Sequence, residues 1–382
     1  MSRAIVTVWK KEMRDAMRDR RSFMAAMGYA FFGPILMAIA FFFLIEQLSD
    51  RSAVAIDIEG AESAPNFAQF LTSQDIIQRQ QAWPQGQQPI TLSIPETWQS
   101  AMADGESVEV ILRADFSAQK QRSDIERVQR AVQAYSTQVA SMRLLMRGIE
   151  PQLVSPLTLQ KQDLATAGSR AAMIMGSVLV FIILSVFWSG MNVAIDISAG
   201  ERERHSLEFL LAQPLSSQAL VWGKALTAST FALFGALLSL TIIPIVFSFV
   251  PLAQIGISMT LTAPMLLSMF LQLIPLALLA TALQLFVSFR AKNFKEAQTY
   301  ISFLLMVPML AVFGVEFARI KSTVLAYLPL TGQHQAFLSL IRGEALNTVG
   351  VLVSALLTLV LSVGLLSYIG RMLKSEKTVF GL

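Results

Sequence analysis

The amino-acid sequence predicts an all-α polytopic membrane protein with six transmembrane helices and an inserted α+β extracytoplasmic domain between the first and second spans. Three observations predict it. Hydrophobic residues make up 54% of the 382 and charged residues only 15%, well below the roughly 25% charge of a soluble domain. The charges are segregated: Ala225 to Phe289 is 65 consecutive residues without one, whereas residues 47 to 169 hold 14 acidic and 10 basic side chains. Lys and Arg gather beside the apolar runs, which is the pattern of membrane orientation and not of nucleic-acid binding. The chain has no cysteine, so thiol and disulfide chemistry are excluded and any domain outside the lipid must rely on its own core.

Residues 1–21 place Ile5, Trp9, Met13, Ala16 and Met17 on one side of a helix with most of the Lys and Arg elsewhere, which predicts an amphipathic interfacial helix lying on lipid at the cytoplasmic side. Residues 22–46 form the first span, built on the charge-free run Phe23 to Ile45. Three acidic residues precede this run and no A-x-A site follows it, so it is expected as a retained span and not a cleaved signal peptide.

Residues 47–169 are the expected extracytoplasmic domain. Ser52 to Ile58 and Val108 to Arg113 read as strands, Asn66 to Gln78 as a helix, and Gln85 to Pro89 as a loop. From 123 to 147, Ile125, Val128, Val132, Tyr135, Val139, Met142 and Met146 recur at alternating spacings of three and four, a heptad seam. Such a seam pairs with the same helix of a second copy or packs along the domain's own sheet.

Residues 170–370 hold the remaining five spans. Ala171 to Ile195, Ala297 to Val315 and Ala345 to Gly370 each suffice for one crossing, since about 20 apolar residues are needed to satisfy every backbone group inside lipid. The 65-residue run would extend about 97 Å as one helix, so it must fold back, and Pro251, Gly256 and Pro264 mark the turn. Two spans there give six in all. The amino-terminal basic cluster, the Arg290/Lys292/Lys295 loop and the tail 371–382 then all fall on the cytoplasmic side, as the positive-inside rule requires. Between the fifth and sixth spans, Gln333 to Arg342 puts Phe337, Leu338 and Ile341 on one face and is expected to dip into the outer leaflet.

Catalytic constellations do not emerge. The sole Gly-Lys, Gly223-Lys224, is followed by Ala225 and lacks the upstream glycines of a phosphate-binding loop, so no ATPase site and no cofactor are expected in the chain. His205 and His334 fall on opposite sides of the membrane and cannot share a metal. The polar residues in or near spans, Asn192, Asp196, Gln272, Gln284 and Gln298, with Glu316, are the candidates for a transport path, because intramembrane polar groups are costly; helix-bridging is their other use. Pro34, Pro244, Pro275 and Pro308 interrupt four spans and either hinge them or shape their packing.

Gly200 to Ser217, GERERHSLEFLLAQPLSS, lies between the second and third spans and is therefore cytoplasmic. Gly200 is expected to end one helix, Glu201 and Glu203 suit the start of the next, and Pro214 with Ser216 and Ser217 stops it. Leu207, Leu210 and Leu211 form an apolar stripe too small for a domain core. It suits either a partner's groove or a connecting turn on the membrane surface.

This string resembles the cytoplasmic coupling segment of type-2 ABC transporter permeases, in which a G-E-R-E-x-x-(S/T)-L-E-x-L-L-x-x-P-x-(S/T) run joins the second and third spans. The similarity is closest to the sodium-efflux permease branch. KKEMRDAMRDRRSF resembles that branch's entry helix, and VAIDIE with VEVILRADFS resembles strands of its inserted domain. Where the family usually has Gly-Thr, this chain has His205-Ser206. The resemblance implies the membrane subunit of an ABC exporter in a bacterial inner membrane, with a separate cytosolic ABC ATPase subunit and a second permease half, homo- or heterodimeric, as partners. It implies that Glu201, Arg202, Glu203, Leu207, Glu208, Leu210, Leu211 and Pro214 couple to that ATPase. Sodium ion is the implied cargo, with a drug, peptide or lipid as the alternative. A non-transporting membrane scaffold or sensor, with 47–169 as receptor, is the rival from another class.

Overall fold

The computed structural model describes residues 2–49, 53–83, 88–118, 121–154, 157, 167–255, 257, 261–317 and 322–374, which fall into two compact units, Met1–Ser49 with Leu164–Leu382, and Asp50–Asp163. The helices in chain order are α1 (Ser2–Arg18), α2 (Arg20–Ser49), α3 (Pro65–Ser73), α4 (Trp98–Asp104), α5 (Arg122–Met146), α6 (Ala167–Ile195), α7 (Glu201–Glu203), α8 (Ser206–Leu211), α9 (Ser217–Phe247), α10 (Ala263–Ser288), α11 (Phe294–Phe317), α12 (Thr331–Arg342) and α13 (Thr348–Met372).

In the larger unit, six helices among the described residues are long and apolar enough to cross a membrane: Phe23–Glu46, Ile174–Glu203, Ser217–Phe247, Ala263–Ser288, Phe294–Val315 and Thr348–Met372. The 65-residue run does divide once, between α9 and α10, around a short 3-10 turn at Leu252–Ile255; Gly256 lies outside the described residues. The central helix is α6, which packs against α2, α9, α10, α11 and α12 and is the most buried of the six, while α2, α11 and α13 keep most of their surface outside the unit. Close approach of α6 and α9 depends on Gly235, where a Cβ would collide with the Ser189 side chain. Pro34, Pro244, Pro275 and Pro308 all lie inside helices, which lipid-spanning helices tolerate when neighbours re-satisfy the freed carbonyls.

Two apolar clusters hold this unit. The larger surrounds α6 and includes Ile183, Phe187, Phe247, Leu276 and Phe337. The second joins one end of the bundle, drawing Val8 and Ala16 from α1, Leu207 from α8, Leu220 and Ala225 from α9, Leu285 from α10 and Ile369 from α13. The inward face of α1 overlaps the apolar face read from its sequence but is rotated from it: Ala16 is buried and Ile5, Trp9 and Met13 are half-buried. Val8, Glu12 and Ala16 turn inward against α9, while Met17 is exposed. The reason is Gly223: a Cβ there would lie 2.5 Å from Val8, so the missing side chain lets the two helices touch.

The segment expected to dip into the outer leaflet is α12. Phe337 and Leu338 are buried as the pattern suggests, yet Gln333 and His334 are buried with them. The Gln333 amide nitrogen donates to Thr358 Oγ1 at 3.4 Å, and His334 Nε2 lies 3.4 Å from the Gly176 carbonyl. Polar contacts inside the bundle therefore fix this helix along with its apolar face.

The smaller unit is built on a four-stranded sheet of order β2-β1-β3-β4, with β1 (Val54–Glu59) parallel to β2 (Ile76–Gln78) and β3 (Thr91–Ser93), and β3 antiparallel to β4 (Ile111–Arg113). Two of these strands depart from the sequence expectation. The helix predicted over Asn66 to Gln78 stops at Ser73, because Asp75 takes a left-handed backbone (φ 57°) and the β-branched pair Ile76-Ile77 joins β1. A three-residue strand carries too little periodicity to compete with the adjacent helical pattern, so the pairing partner decides it. The strand predicted from Val108 shortens to Ile111–Arg113. Most of the Gln85 to Pro89 loop lies outside the described residues. In α5 the first half of the heptad seam packs on this unit's own core, with Ile125, Val128 and Ala131 buried against Ile56, Phe67 and Leu92, and Tyr135 4.7 Å from Phe67. Met142 and Met146 at the far end are exposed.

Candidate functional site

Segment 200–217 begins inside a helix and not after one. Gly200 has right-handed helical backbone angles, φ −65° and ψ −41°, and the chain passes from α6 through a π-helical turn, Asp196–Gly200, directly into α7. The helix break expected at Gly200 occurs instead at His205, whose φ of 57° is left-handed. Glycine suits that conformation because it has no Cβ to clash with the carbonyl; histidine is among the residues that tolerate it better than most. Past this corner α8 runs to Leu211, and Ser216 caps α9 by accepting from the Ala219 amide at 3.2 Å.

Each of the four alternating charges has a partner within the chain. Glu201 is 6% exposed and accepts from Lys224 Nζ at 2.5 Å and Lys11 Nζ at 3.3 Å. Lys224, with no exposed side-chain surface, also reaches Glu12 at 2.9 Å, and Lys11 lies 3.2 Å from the same Glu12 oxygen. Two cations and two carboxylates from α1, α7 and α9 thus form one cluster, open to the surface at Lys11, which also reaches Asp15 at 3.4 Å; every buried charge in it is paired, as burial requires. Burial works against the Lys11 charge, but the carboxylates of Glu12 and Glu201 outweigh it and lift the ammonium above its ordinary pKa. Arg202 donates to the carbonyls of Phe289 at 3.2 Å and Ala291 at 3.1 Å, at the carboxyl end of α10. Glu203 accepts from the Phe294 amide at 2.8 Å, at the amino end of α11. Arg204 turns back to Asp196 in the π turn.

The leucine stripe also faces inward. Leu207 is 2% exposed in the second apolar cluster, and Leu210 and Leu211 are half-buried against it. Glu208 is half-buried, 3.5 Å from His205 Nδ1. The outward side carries Phe209, 72% exposed, together with exposed Glu203, His205, Ala212, Gln213 and Pro214. Phe209 lies two positions from Leu207, which on a helix is the opposite face; that spacing was available in the sequence. Lys224 and Glu12 left a fainter trace. A lysine heading a 65-residue uncharged run and a glutamate aligned with Val8 and Ala16 each need a buried partner, although the sequence does not say that they share one.

The five polar residues considered for a path are not brought together. Asp196 belongs to the π turn with Arg204. Asn192 is half-buried on α6, and Gln298 is exposed on α11. Gln284 is fully buried; its Nε2 donates to the Phe187 carbonyl at 2.6 Å, and its Oε1 has no hydrogen-bond partner among the described residues. Gln272 is nearly buried and donates to Ser268 of its own helix; the twelve positions separating it from Gln284 span roughly 18 Å of α10. The side chain of Glu316 is outside the described residues.

The chain is 27% identical over 351 residues, 88% of its own length and 89% of the relative's, to the ABC transporter permease protein NatB of Bacillus subtilis (strain 168). No solved structure matches it. The ABC-2 family transporter proteins match residues 6–370, which take in the π turn, the charge cluster, the first five apolar helices and all but the last two residues of the sixth, and the chain belongs to that family as a permease subunit of an ABC transporter.

Proposed function

We propose that this chain forms, as a dimer, the translocation pathway of an ATP-driven exporter in a bacterial inner membrane, and that segment 200–217 is its coupling helix, docking to a separate cytosolic ATPase. The observation that carries the reading is the outward face of α8. Phe209 stands exposed amid polar and charged neighbours while the leucines behind it anchor the helix to the bundle. A protruding aromatic on the outward face of a helix anchored by leucines suits a groove on a partner, where such side chains contribute most of the binding energy. Among the residues carried by the family resemblance, Glu203, Glu208 and Pro214 border this face. Glu201, Arg202, Leu207, Leu210 and Leu211 support it from behind.

Six spans among the described residues and the basic residues at the amino end, at Arg290–Lys295 and at Arg371–Lys374 support a topology with these basic segments on the cytoplasmic side. The unit Asp50–Asp163 then lies outside. Sodium ion is the first cargo to test, from the resemblance to the sodium-efflux branch. A second reading, export of an apolar or amphiphilic molecule such as a drug, peptide or lipid, is favoured by the hollow of about 760 Å³ beside α2, lined by Tyr29, Phe32, Leu36, Phe41 and Phe181.

The test is Phe209→Asp. Burying a phenylalanine is worth about 1.5–3 kcal/mol, so association with the partner ATPase is expected to weaken by at least about tenfold. The melting temperature should hold, because the side chain has little contact to lose. ATP-dependent flux in vesicles holding both subunits, followed with sodium and with a hydrophobic dye, separates the two cargo readings. Unchanged ATPase affinity in the variant would remove the docking assignment.

A further inference from the structure

The inward connections of the G-E-R-E charges suggest a use beyond docking. Each ties the segment to a different helix. Glu201 bonds Lys224 of α9 and Lys11 of α1, Arg202 holds the carbonyls of the α10 cap residue Phe289 and of Ala291 just beyond it, and Glu203 holds the first amide of α11. The latter two complement the helix ends they touch, since a cation favours the carboxyl end and an anion the amino end of a helix. All are charge-assisted bonds, roughly twice as strong as neutral ones. An irregular stretch flanks this block on each side, the π turn Asp196–Gly200 before it and the left-handed corner at His205 after it. Such interruptions are the places where a helix bends most readily.

We propose that Glu201, Arg202 and Glu203 form an internal clamp, positioning residues that fasten the coupling segment to the cytoplasmic ends of α1, α9, α10 and α11 and so deliver one push to four helices at once. Covalent connection alone would carry the push only into the two helices that flank the segment, α6 and α9. The clamp extends it to the amino-terminal helix and to the loop joining the fourth and fifth spans. This inference rests on the coupling role proposed above, but it assigns the alternating charge run of this chain to force distribution inside the permease, leaving the exposed face of α8 for the partner.

The experiment compares Glu203→Ala with Glu203→Gln in the full chain reconstituted with its ATPase. Glu203 is exposed, so both variants should fold, and the glutamine keeps an oxygen that can accept from the Phe294 amide. Glu203 borders the docking face, so the ratio is read at saturating ATPase, where a loss of affinity does not enter; transport per ATP hydrolysed in Glu203→Ala is expected to fall about fivefold or more, in keeping with loss of one charge-assisted bond. Glu203→Gln should recover most of that ratio. Because the chain has no cysteine, spin labels placed at Gln213 and Lys292 report the clamp directly. Their separation should stay constant between nucleotide-free and ATP-trapped complexes of the parent and shift by several ångströms in Glu203→Ala. A separation that changes in the parent, or a Glu203→Ala variant with normal transport per ATP, overturns the clamp. Failure of the parent to bind the ATPase at all instead overturns the coupling role, and the clamp with it.

Discussion

Lys224→Met is the most demanding perturbation of this fold, because Lys224 is the cation of the buried cluster that has no exposed side-chain surface. Its ammonium lies 2.5 Å from Glu201 and 2.9 Å from Glu12. At the effective dielectric near 20 that describes protein sites, each contact is worth about 6–7 kcal/mol of gross attraction. Most of this is cancelled by the dehydration of the ions and by repulsion between the two carboxylates. Methionine fills much the same volume but supplies no charge, so Glu12 and Glu201 are left enclosed and share only Lys11, which remains 46% exposed. Removing one member of a buried pair costs about 3–5 kcal/mol. For a unit of this size that lowers the thermal midpoint by about 10 °C. The assay is thermal unfolding of the detergent-solubilised chain, with Glu12→Gln/Lys224→Met as the companion. Removing one carboxylate together with the lysine leaves Glu201 as the one buried carboxylate, still paired with Lys11, which also reaches the exposed Asp15 at 3.4 Å, and the double variant should melt well above Lys224→Met alone. A Lys224→Met midpoint within about 2 °C of the parent, or a double variant no better than the single, would refute the buried cluster as drawn.

Two further outcomes follow from particular residues. His205→Gly should stabilise the corner between α7 and α8 by up to about 1 kcal/mol, since it removes the Cβ strain of a left-handed backbone and puts glycine where the family usually has it; a lowered midpoint refutes this. His334 supplies a pH signature. Burial pushes its imidazole down to about 4, against a weaker upward pull from the Gly176 carbonyl, while the positive charge of Arg342 also opposes protonation. Above the ordinary value near 6.5 the ring is neutral folded or unfolded, and its full contribution is present. As pH falls toward 4 only the unfolded chain takes up the proton, so stability is lost across that window, by about 3 kcal/mol in all. His334→Leu should flatten the melting profile between pH 6.5 and 4, and an equally steep profile in the variant refutes the assignment.

Much of this protein was legible without a fold. Charge-free runs of sufficient length dictate helices, because lipid offers no partner for an exposed backbone group, and a 65-residue run can only fold back. The heptad seam located α5 to within a residue at each end, and the family was readable from the coupling string. Short-range pattern failed where it competed with a distant partner. Ile76-Ile77 continued a helical run in the sequence but became a strand because β1 lay alongside.

The same limit governs the candidate site. The sequence showed that a run of four alternating charges and a stripe of three leucines sit between two apolar runs. It could not show that Glu201 meets Lys224 and Lys11, that Arg202 and Glu203 grip the ends of α10 and α11, or that Leu207 points inward while Phe209 points out. Helical periodicity fixes which residues share a face, being a property of the backbone within a few residues. Which face meets solvent is decided by surfaces brought together from positions as far apart as 12, 201, 224 and 294, and only the tertiary structure supplies them.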